Sequence, residues 1–79
     1  MFYVYILKRK KDNSLYIGFA VDLRIRLIKH NKGLVLSTKS RVPFKLVYFE
    51  ACLSKDNAIE REKALKTGFG RKFLRNRIK

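Results

Sequence analysis

Four side chains in the first part of this sequence have types and spacings that could carry out chemistry. Tyr5 and Tyr16 lie in two apolar runs that flank a lysine-rich segment, and Arg26 and His30 are four residues apart. A helix places residues at that spacing on one face, where Arg can bind two phosphate oxygens and His can take or give a proton. A structural alternative stays open for both pairs, because the tyrosines could cover a core and the other two side chains could simply face solvent.

A fifth residue, Glu62, is a carboxylate whose helical position predicts that it points inward. Counting 100° per residue, Glu62 shares a face with Ala58, Ile59 and Leu65, whereas Glu60 lies on the opposite, polar side. A buried carboxylate needs a compensating partner. The partner is either a basic side chain or a divalent metal such as Mg²⁺, which needs only one or two carboxylates when water and phosphate complete its shell. With a metal, the five side chains would suffice to hydrolyse a phosphodiester bond.

The elements that position the tyrosines are predicted from β-branched and aromatic runs. Residues 2–7 and 15–19 are two such runs, separated by a segment with turn chemistry, which predicts a β-hairpin. Residues two apart in a strand share a face, so Tyr5 and Tyr16 lie on one face for any register whose paired residue numbers sum to an odd value. Gly18 leaves room beside Tyr16 for a close approach of backbone or ligand.

The next elements are a helix, a loop and a third strand. Asp22 is a good N-cap for a helix that runs toward Asn31, and Gly33 is a natural left-handed residue to end it. Residues 34–44 are predicted to form an exposed loop. Residues 45–53, rich in Val, Tyr and Phe, are predicted to form the third and central strand.

Two helices complete the predicted fold. Ser54 caps a helix over residues 55–66, and Gly68 and Gly70 are expected to break the chain before a last basic helix that runs from Arg71 to the C-terminus. The order ββαβαα predicts one α+β domain over residues 1–79, with helices packed on a three-stranded sheet.

Composition narrows the class of partner. The chain has 20 Lys and Arg against 6 Asp and Glu, a formal charge of +14, and is too apolar at 47% hydrophobic residues to be disordered. Nucleic acid is favoured over a membrane surface, because no segment approaches a spanning length and the basic residues are spread along the chain. No signal peptide is recognised, so we expect a cytoplasmic protein with no membrane partner. A single cysteine, Cys52, excludes an intramolecular disulfide and a Cys-based zinc cluster.

The tripeptides VYI at residues 4–6 and YIG at residues 16–18 resemble the two halves of the motif that names the GIY-YIG endonucleases. The resemblance continues in order through LRIRLIKHNKG, TKSRVPFKLVYFE and AIEREKALKTGFGRKFLRNR, and covers nearly the whole chain. The sequence is most similar to the small single-domain bacterial type, related to the catalytic domain of the UvrC excision nuclease and to intron homing endonucleases. Val4 replaces the first glycine of the motif, a minor departure.

The resemblance implies a three-stranded antiparallel sheet flanked by helices and a cleft that binds one divalent metal, Mg²⁺ or Mn²⁺. It implies that Tyr5 or Tyr16 assists deprotonation of the attacking water, that Arg26 contacts the scissile phosphate, that His30 belongs to the site and that Glu62 is the metal ligand. The implied activity is a DNA endonuclease with loose or structure-based specificity, acting on branched, nicked or single-stranded regions in repair or recombination.

Contacts to DNA are expected to come mainly from basic side chains, since no separate recognition domain is evident. The expected contacts are Lys10, Lys11, Lys39, Arg41, Arg71 and Lys72, with Asn76 as the candidate for an Asn that the family often places after the carboxylate helix. The alternative is a non-catalytic nucleic-acid-binding module of the same fold. Five intact site residues favour the enzyme, because a pure binder has no use for an inward carboxylate that repels phosphate.

Overall fold

Three strands and three helices follow one another in the order ββαβαα, as predicted, in a computed structural model that describes residues 1–78. The elements are β1 (Phe2–Arg9), β2 (Leu15–Ala20), α1 (Leu23–Asn31), β3 (Phe44–Cys52), α2 (Lys55–Leu65) and α3 (Gly68–Arg77). The α+β class is confirmed. The prediction that the last helix reaches the C-terminus is wrong, because α3 ends at Arg77 and Ile78 has extended backbone; Lys79 lies outside the described residues.

The sheet is antiparallel and its strand order is β2-β1-β3, so β1 and not β3 is the central strand. The prediction of a central third strand is therefore wrong. Four consecutive residues of β1, Val4 to Leu7, are buried, as expected for a strand paired on both edges and covered on both faces. In β3, Lys45, Phe49 and Ala51 stay exposed, which is typical of an edge strand.

Each face of the sheet has its own apolar cluster. On one face Tyr5 and Leu7 pack with Phe44 and with Leu23 and Leu27 of α1. On the other face the packing partners come from α2 and α3, in a cluster that comprises Val4, Ile6, Ala58, Leu65 and Leu74. The alternation of side chains along β1 thus divides the domain into a layer under α1 and a layer under α2 and α3.

Side-chain caps set where the helices begin. Asp22 accepts a hydrogen bond from the Ile25 backbone N–H at 3.1 Å, and Ser54 accepts one from Asn57 at 3.3 Å, as predicted. The last helix begins at Gly68 rather than at Arg71, because Thr67 caps it by accepting from the Gly70 N–H at 3.2 Å.

The two glycines predicted to break the chain are thus part of α3. Gly70 also lets α3 approach α2, since a Cβ there would overlap the backbone of Ala64 and Leu65. Within the described residues, none of the helices has the length and apolar character that a bilayer crossing needs.

The segment between α1 and β3 is less exposed than predicted. Gly33 has a φ of +74° and ends α1 as expected. Val35 and Thr38, however, are buried against the domain. The Asn31 side chain closes the segment by donating to the Phe44 carbonyl at 3.1 Å and accepting from the Phe44 N–H at 2.8 Å.

Candidate active site

The centre of the site is a short contact between Tyr5 of β1 and His30 of α1. Gly18 is the cross-strand partner of Tyr5 in β2, and a Cβ at Gly18 would overlap the ring and hydroxyl of that tyrosine. The missing side chain lets the phenol extend over β2, where its oxygen lies 2.6 Å from Nε2 of His30. Tyr5 is 1% exposed and His30 is 0% exposed, so the contact is closed to bulk solvent in the absence of substrate.

Thr38 determines the direction of this contact. Nδ1 of His30 lies 2.7 Å from Oγ1 of Thr38, whose hydroxyl donates to the Val35 carbonyl at 3.4 Å. With the hydroxyl hydrogen used in this way, Oγ1 accepts from Nδ1–H, and Nε2 is the unprotonated nitrogen that accepts from Tyr5. Thr38 is fully buried and was not predicted from the sequence, because a threonine in a polar loop has no pattern that marks it.

The surroundings keep both groups of the pair neutral. Burial lowers the pKa of His30, and the nearby positive charge of Arg26 lowers it further. Burial also raises the pKa of the Tyr5 phenol, an effect that the hydrogen bond from Arg26 partly offsets. At neutral pH the pair is therefore a phenol donating to a neutral imidazole, which can accept a proton.

Arg26 lies on the same face of α1 as His30, as the spacing of four residues requires. Its Nε donates to the Tyr5 hydroxyl oxygen in a long hydrogen bond of 3.4 Å. Arg26 also lines a groove of about 370 Å³ between the end of β2 and α1, with Ala20, Asp22 and Lys29 among the lining residues. The guanidinium can thus meet both the phenol and an anion that enters the groove.

Tyr16 lies beside this pair on the same face of the sheet, as the alternation predicts. The register pairs Tyr5 with Gly18 and Tyr16 with Leu7, so the two tyrosines are diagonal neighbours with ring centroids 6.4 Å apart. The ring of Tyr16 is 5.2 Å from that of His30. Its hydroxyl is on the outer side, 3.3 Å from Oγ of Ser37, in an exposed contact.

Glu62 lies on α2, in the layer on the opposite face of the sheet. Its side chain is 21% exposed, whereas Glu60 on the same helix is exposed, so the helical-phase argument is correct for both. Oε2 of Glu62 pairs with the Nζ of Lys66 at 3.1 Å. Burial is the main cause of the raised pKa of Tyr5, and the negative charge of Glu62 is the least of the contributions that raise it.

A single carboxylate at Glu62 suits a hard divalent cation better than it suits zinc. Among residues 1–78, no three His, Cys, Asp or Glu side chains come together, so the described part of the chain holds no ready zinc-type cage. One carboxylate suits Mg²⁺ or Mn²⁺, which keep several waters and take substrate phosphate as a further ligand. The partner of Glu62 is a half-exposed lysine that can move away, not a buried arginine.

The residues predicted to contact DNA lie at different distances from the Tyr5–His30 pair. Arg41 is near the site, with its guanidinium 6.0 Å from the Tyr16 ring centroid. Arg71 lines a second groove together with Tyr16. The other side chains are exposed on the β1–β2 turn, the loop before β3 and α3; they are Lys10, Lys11, Lys39, Lys72 and Asn76.

Comparisons with known proteins identify the family of this fold. The family model described as the GIY-YIG catalytic domain matches residues 1–76. A UPF0213 protein of Staphylococcus saprophyticus is 46% identical over 74 residues, which are 92% of this chain and 89% of that protein. One of Staphylococcus epidermidis is 47% identical over 66 residues, 82% of this chain and 79% of the relative.

A solved structure is also similar. The solution NMR structure of a UPF0213 protein from Bacillus halodurans superposes with a TM-score of 0.58 at 36% identity and covers 96% of this chain and 84% of that one. The names of these relatives state no activity.

Proposed function

Because the chain belongs to the GIY-YIG family of nuclease domains, we propose that it is a metal-dependent endonuclease that hydrolyses phosphodiester bonds in DNA. The observation that carries the proposal is the buried chain of hydrogen bonds from Tyr5 through His30 to Thr38. A domain that only binds DNA gains nothing from an imidazole kept neutral and aimed at a phenol.

The proton of the attacking water leaves through this chain. Tyr5 accepts the water proton on its oxygen as its own hydrogen passes to Nε2 of His30. Tyr5 is unchanged after the step, and His30 becomes an imidazolium whose second N–H is held by Thr38. The lowered pKa of His30 ensures that the imidazole is free to accept when the step begins.

Arg26 and Glu62 are the residues proposed to stabilise charge on the scissile phosphate, Arg26 directly and Glu62 through a metal ion. The guanidinium next to Tyr5 neutralises charge that develops on the phosphate oxygens. Glu62 would hold a Mg²⁺ or Mn²⁺ ion, which supplies Lewis-acid stabilisation of the phosphate when it is bound. No side chain in the site has the arrangement of a base reader, so we propose contacts mainly to phosphates and a loose or structure-based specificity for nicked, branched or single-stranded DNA.

The test compares two carboxylates of the same helix. Purified protein is incubated with labelled linear, nicked, flap and branched DNAs in Mg²⁺, in Mn²⁺ and in EDTA. We expect cuts that need the metal, that disappear in Glu62→Gln and that persist in Glu60→Gln, because Glu62 is the proposed metal ligand and Glu60 is exposed on the polar side of the helix. If Glu62→Gln cuts DNA at the wild-type rate, the assignment of Glu62 as the metal ligand is wrong. Binding with no cut on any substrate would replace the enzyme by the non-catalytic binding module.

A further inference from the structure

A second groove, separate from the one beside Arg26, runs between β2 and α3. Its volume is about 690 Å³, within the range of pockets that hold small molecules. Its apolar wall comes from Leu15 and Ile17 of β2, with the buried Leu74 of α3 beneath them. Tyr5, His30 and Thr38, which form the proposed proton path, are not among the residues that line this groove.

Cations surround the apolar wall. The polar side chains that line the groove are Tyr16, Lys66, Arg71 and Arg75, and no acidic residue is among the described lining. Lys66 is paired with Glu62, whereas Arg71 and Arg75 are exposed on successive turns of α3. An occupant of this groove should therefore combine a flat apolar body with at least one negative charge.

The groove adjoins the candidate active site. Tyr16 is common to both, since its ring centroid is 5.2 Å from that of His30 and the residue is among those that line the groove. The Lys66–Glu62 ion pair makes a second connection, between the groove and the proposed metal ligand. A chain of phosphates that passes through the site can thus extend into the groove.

We propose that this groove binds one unpaired nucleotide of the DNA strand that is cut, an inference that rests on the proposed function. The base lies against Leu15 and Ile17, and the phosphate next to it meets Arg71 and Arg75. A paired base cannot enter, because its flat faces are covered by its neighbours in the stack. The substrate class is therefore DNA with an unpaired nucleotide beside the scissile phosphate.

The test measures binding without cleavage. Fluorescence anisotropy in EDTA compares a labelled duplex with the same duplex carrying one extra, unpaired thymidine. We expect the wild-type protein to bind the second duplex about tenfold more tightly, a typical effect of one base held against a protein surface. Equal affinity for the two duplexes would overturn the proposal.

Gly68 provides the matched variants. It lines the groove, its φ is not in the left-handed region, and a Cβ there meets nothing within 4 Å. Gly68→Leu should fill the groove and abolish the preference, whereas Gly68→Ala should keep it. A preference that survives Gly68→Leu places the unpaired base elsewhere and overturns the assignment. If Gly68→Leu does not fold, Leu15→Thr serves instead, and an unchanged preference in that variant has the same meaning.

Two further controls separate charge and self-association from base binding. Arg75→Gln should weaken binding of the duplex with the unpaired nucleotide more than Arg24→Gln, which removes the same charge from an exposed position on α1. Concentration-dependent dimers that disappear in Gly68→Leu would place a second copy in the groove and overturn the proposal. If the protein prefers the duplex with the unpaired thymidine but cuts no DNA, only the proposed nuclease activity is contradicted. If it cuts DNA but shows no such preference, only the proposed nucleotide-binding groove is contradicted.

Discussion

At the scale of single residues, the two tyrosines that look alike in the sequence have different surroundings. The Tyr5 oxygen is enclosed by His30 and Arg26, at 2.6 and 3.4 Å. The Tyr16 oxygen meets only the Ser37 hydroxyl among the described residues, at the surface. The structure thus supports Tyr5 as the tyrosine that passes a proton and Tyr16 as a neighbour that covers His30.

Replacing each tyrosine by phenylalanine tests this difference. Tyr5→Phe should lower the single-turnover cleavage rate by about a hundredfold or more, the usual worth of a proton-transfer group, while DNA binding stays nearly unchanged. Tyr16→Phe keeps the ring that packs on His30 and should have a smaller effect. A larger loss in Tyr16→Phe than in Tyr5→Phe would reverse the assignment of the two phenols.

His30 makes the stability of the fold depend on pH. Its pKa in the folded protein is below the ordinary value of 6.5, so the unfolded chain takes up a proton at His30 at a higher pH than the folded one. The free energy of unfolding should therefore be full above 6.5 and fall as pH decreases from 6.5 toward the folded pKa.

Thermal melts between about pH 7 and about pH 5 measure this slope, above the range where most carboxylates titrate. The His30→Gln variant should lose most of it. An equal slope in the variant would show that His30 is not the group responsible.

At the scale of elements, two glycines permit close contacts of different kinds. Gly18 of β2 makes room for a side chain, the Tyr5 phenol. Gly70 of α3 makes room for the backbone of Ala64 and Leu65, the last two residues of α2. Gly68, in contrast, has open space around it. A substitution by alanine therefore meets a side chain at Gly18, backbone at Gly70 and nothing at Gly68.

We expect Ala at these positions to separate activity from stability. Gly18→Ala should displace Tyr5, cut activity strongly and destabilise the fold by about 1–3 kcal/mol, the usual cost of overpacking. Gly70→Ala should lower stability at least as much, because backbone cannot rotate aside, with activity per folded molecule preserved. Gly68→Ala should change neither by much. Cleavage assays and denaturant melts on the three variants measure both quantities, and full activity in Gly18→Ala would contradict the role of Gly18.

Local patterns were sufficient to predict most of these elements. The alternation in the hairpin places Tyr5 and Tyr16 on one face, the spacing of four residues pairs Arg26 with His30, and the helical phase distinguishes Glu62 from Glu60. Each of these depends on residues close in sequence. Thr38 could not be predicted, because its role comes from a contact across the fold with His30.

The strand order and the start of α3 could not be predicted from residues that are close in sequence either. Which strand is central depends on pairing between β1 and β3, which are distant along the chain. The start of α3 depends on a threonine cap and on packing of Gly70 against α2, and both outweigh the low helix propensity of glycine.

At the scale of the whole molecule, the charge of +14 predicts binding that weakens steeply with salt. If about four phosphates are contacted, Kd should rise about a hundredfold between about 50 and about 200 mM monovalent salt. Arg71→Gln should reduce the slope of log Kd against log salt by about one unit, whereas Lys55→Gln, an exposed lysine outside the proposed contacts, should leave it unchanged. Anisotropy titrations at several salt concentrations measure both, and a flat salt dependence would exclude phosphate contacts as the main source of affinity.

The central position of β1 also has a consequence for how the chain folds during synthesis. β1 leaves the ribosome before either neighbour, and the hairpin with β2 can form early because the turn between them is short. The second edge of β1 must wait until β2, α1 and the following loop have been made and β3 emerges. The slow step should therefore be closure of this long-range β1–β3 pairing. Until then one edge of β1 keeps its backbone N–H and C=O groups unpaired and open to other chains, so association of incomplete chains should be easiest in this period.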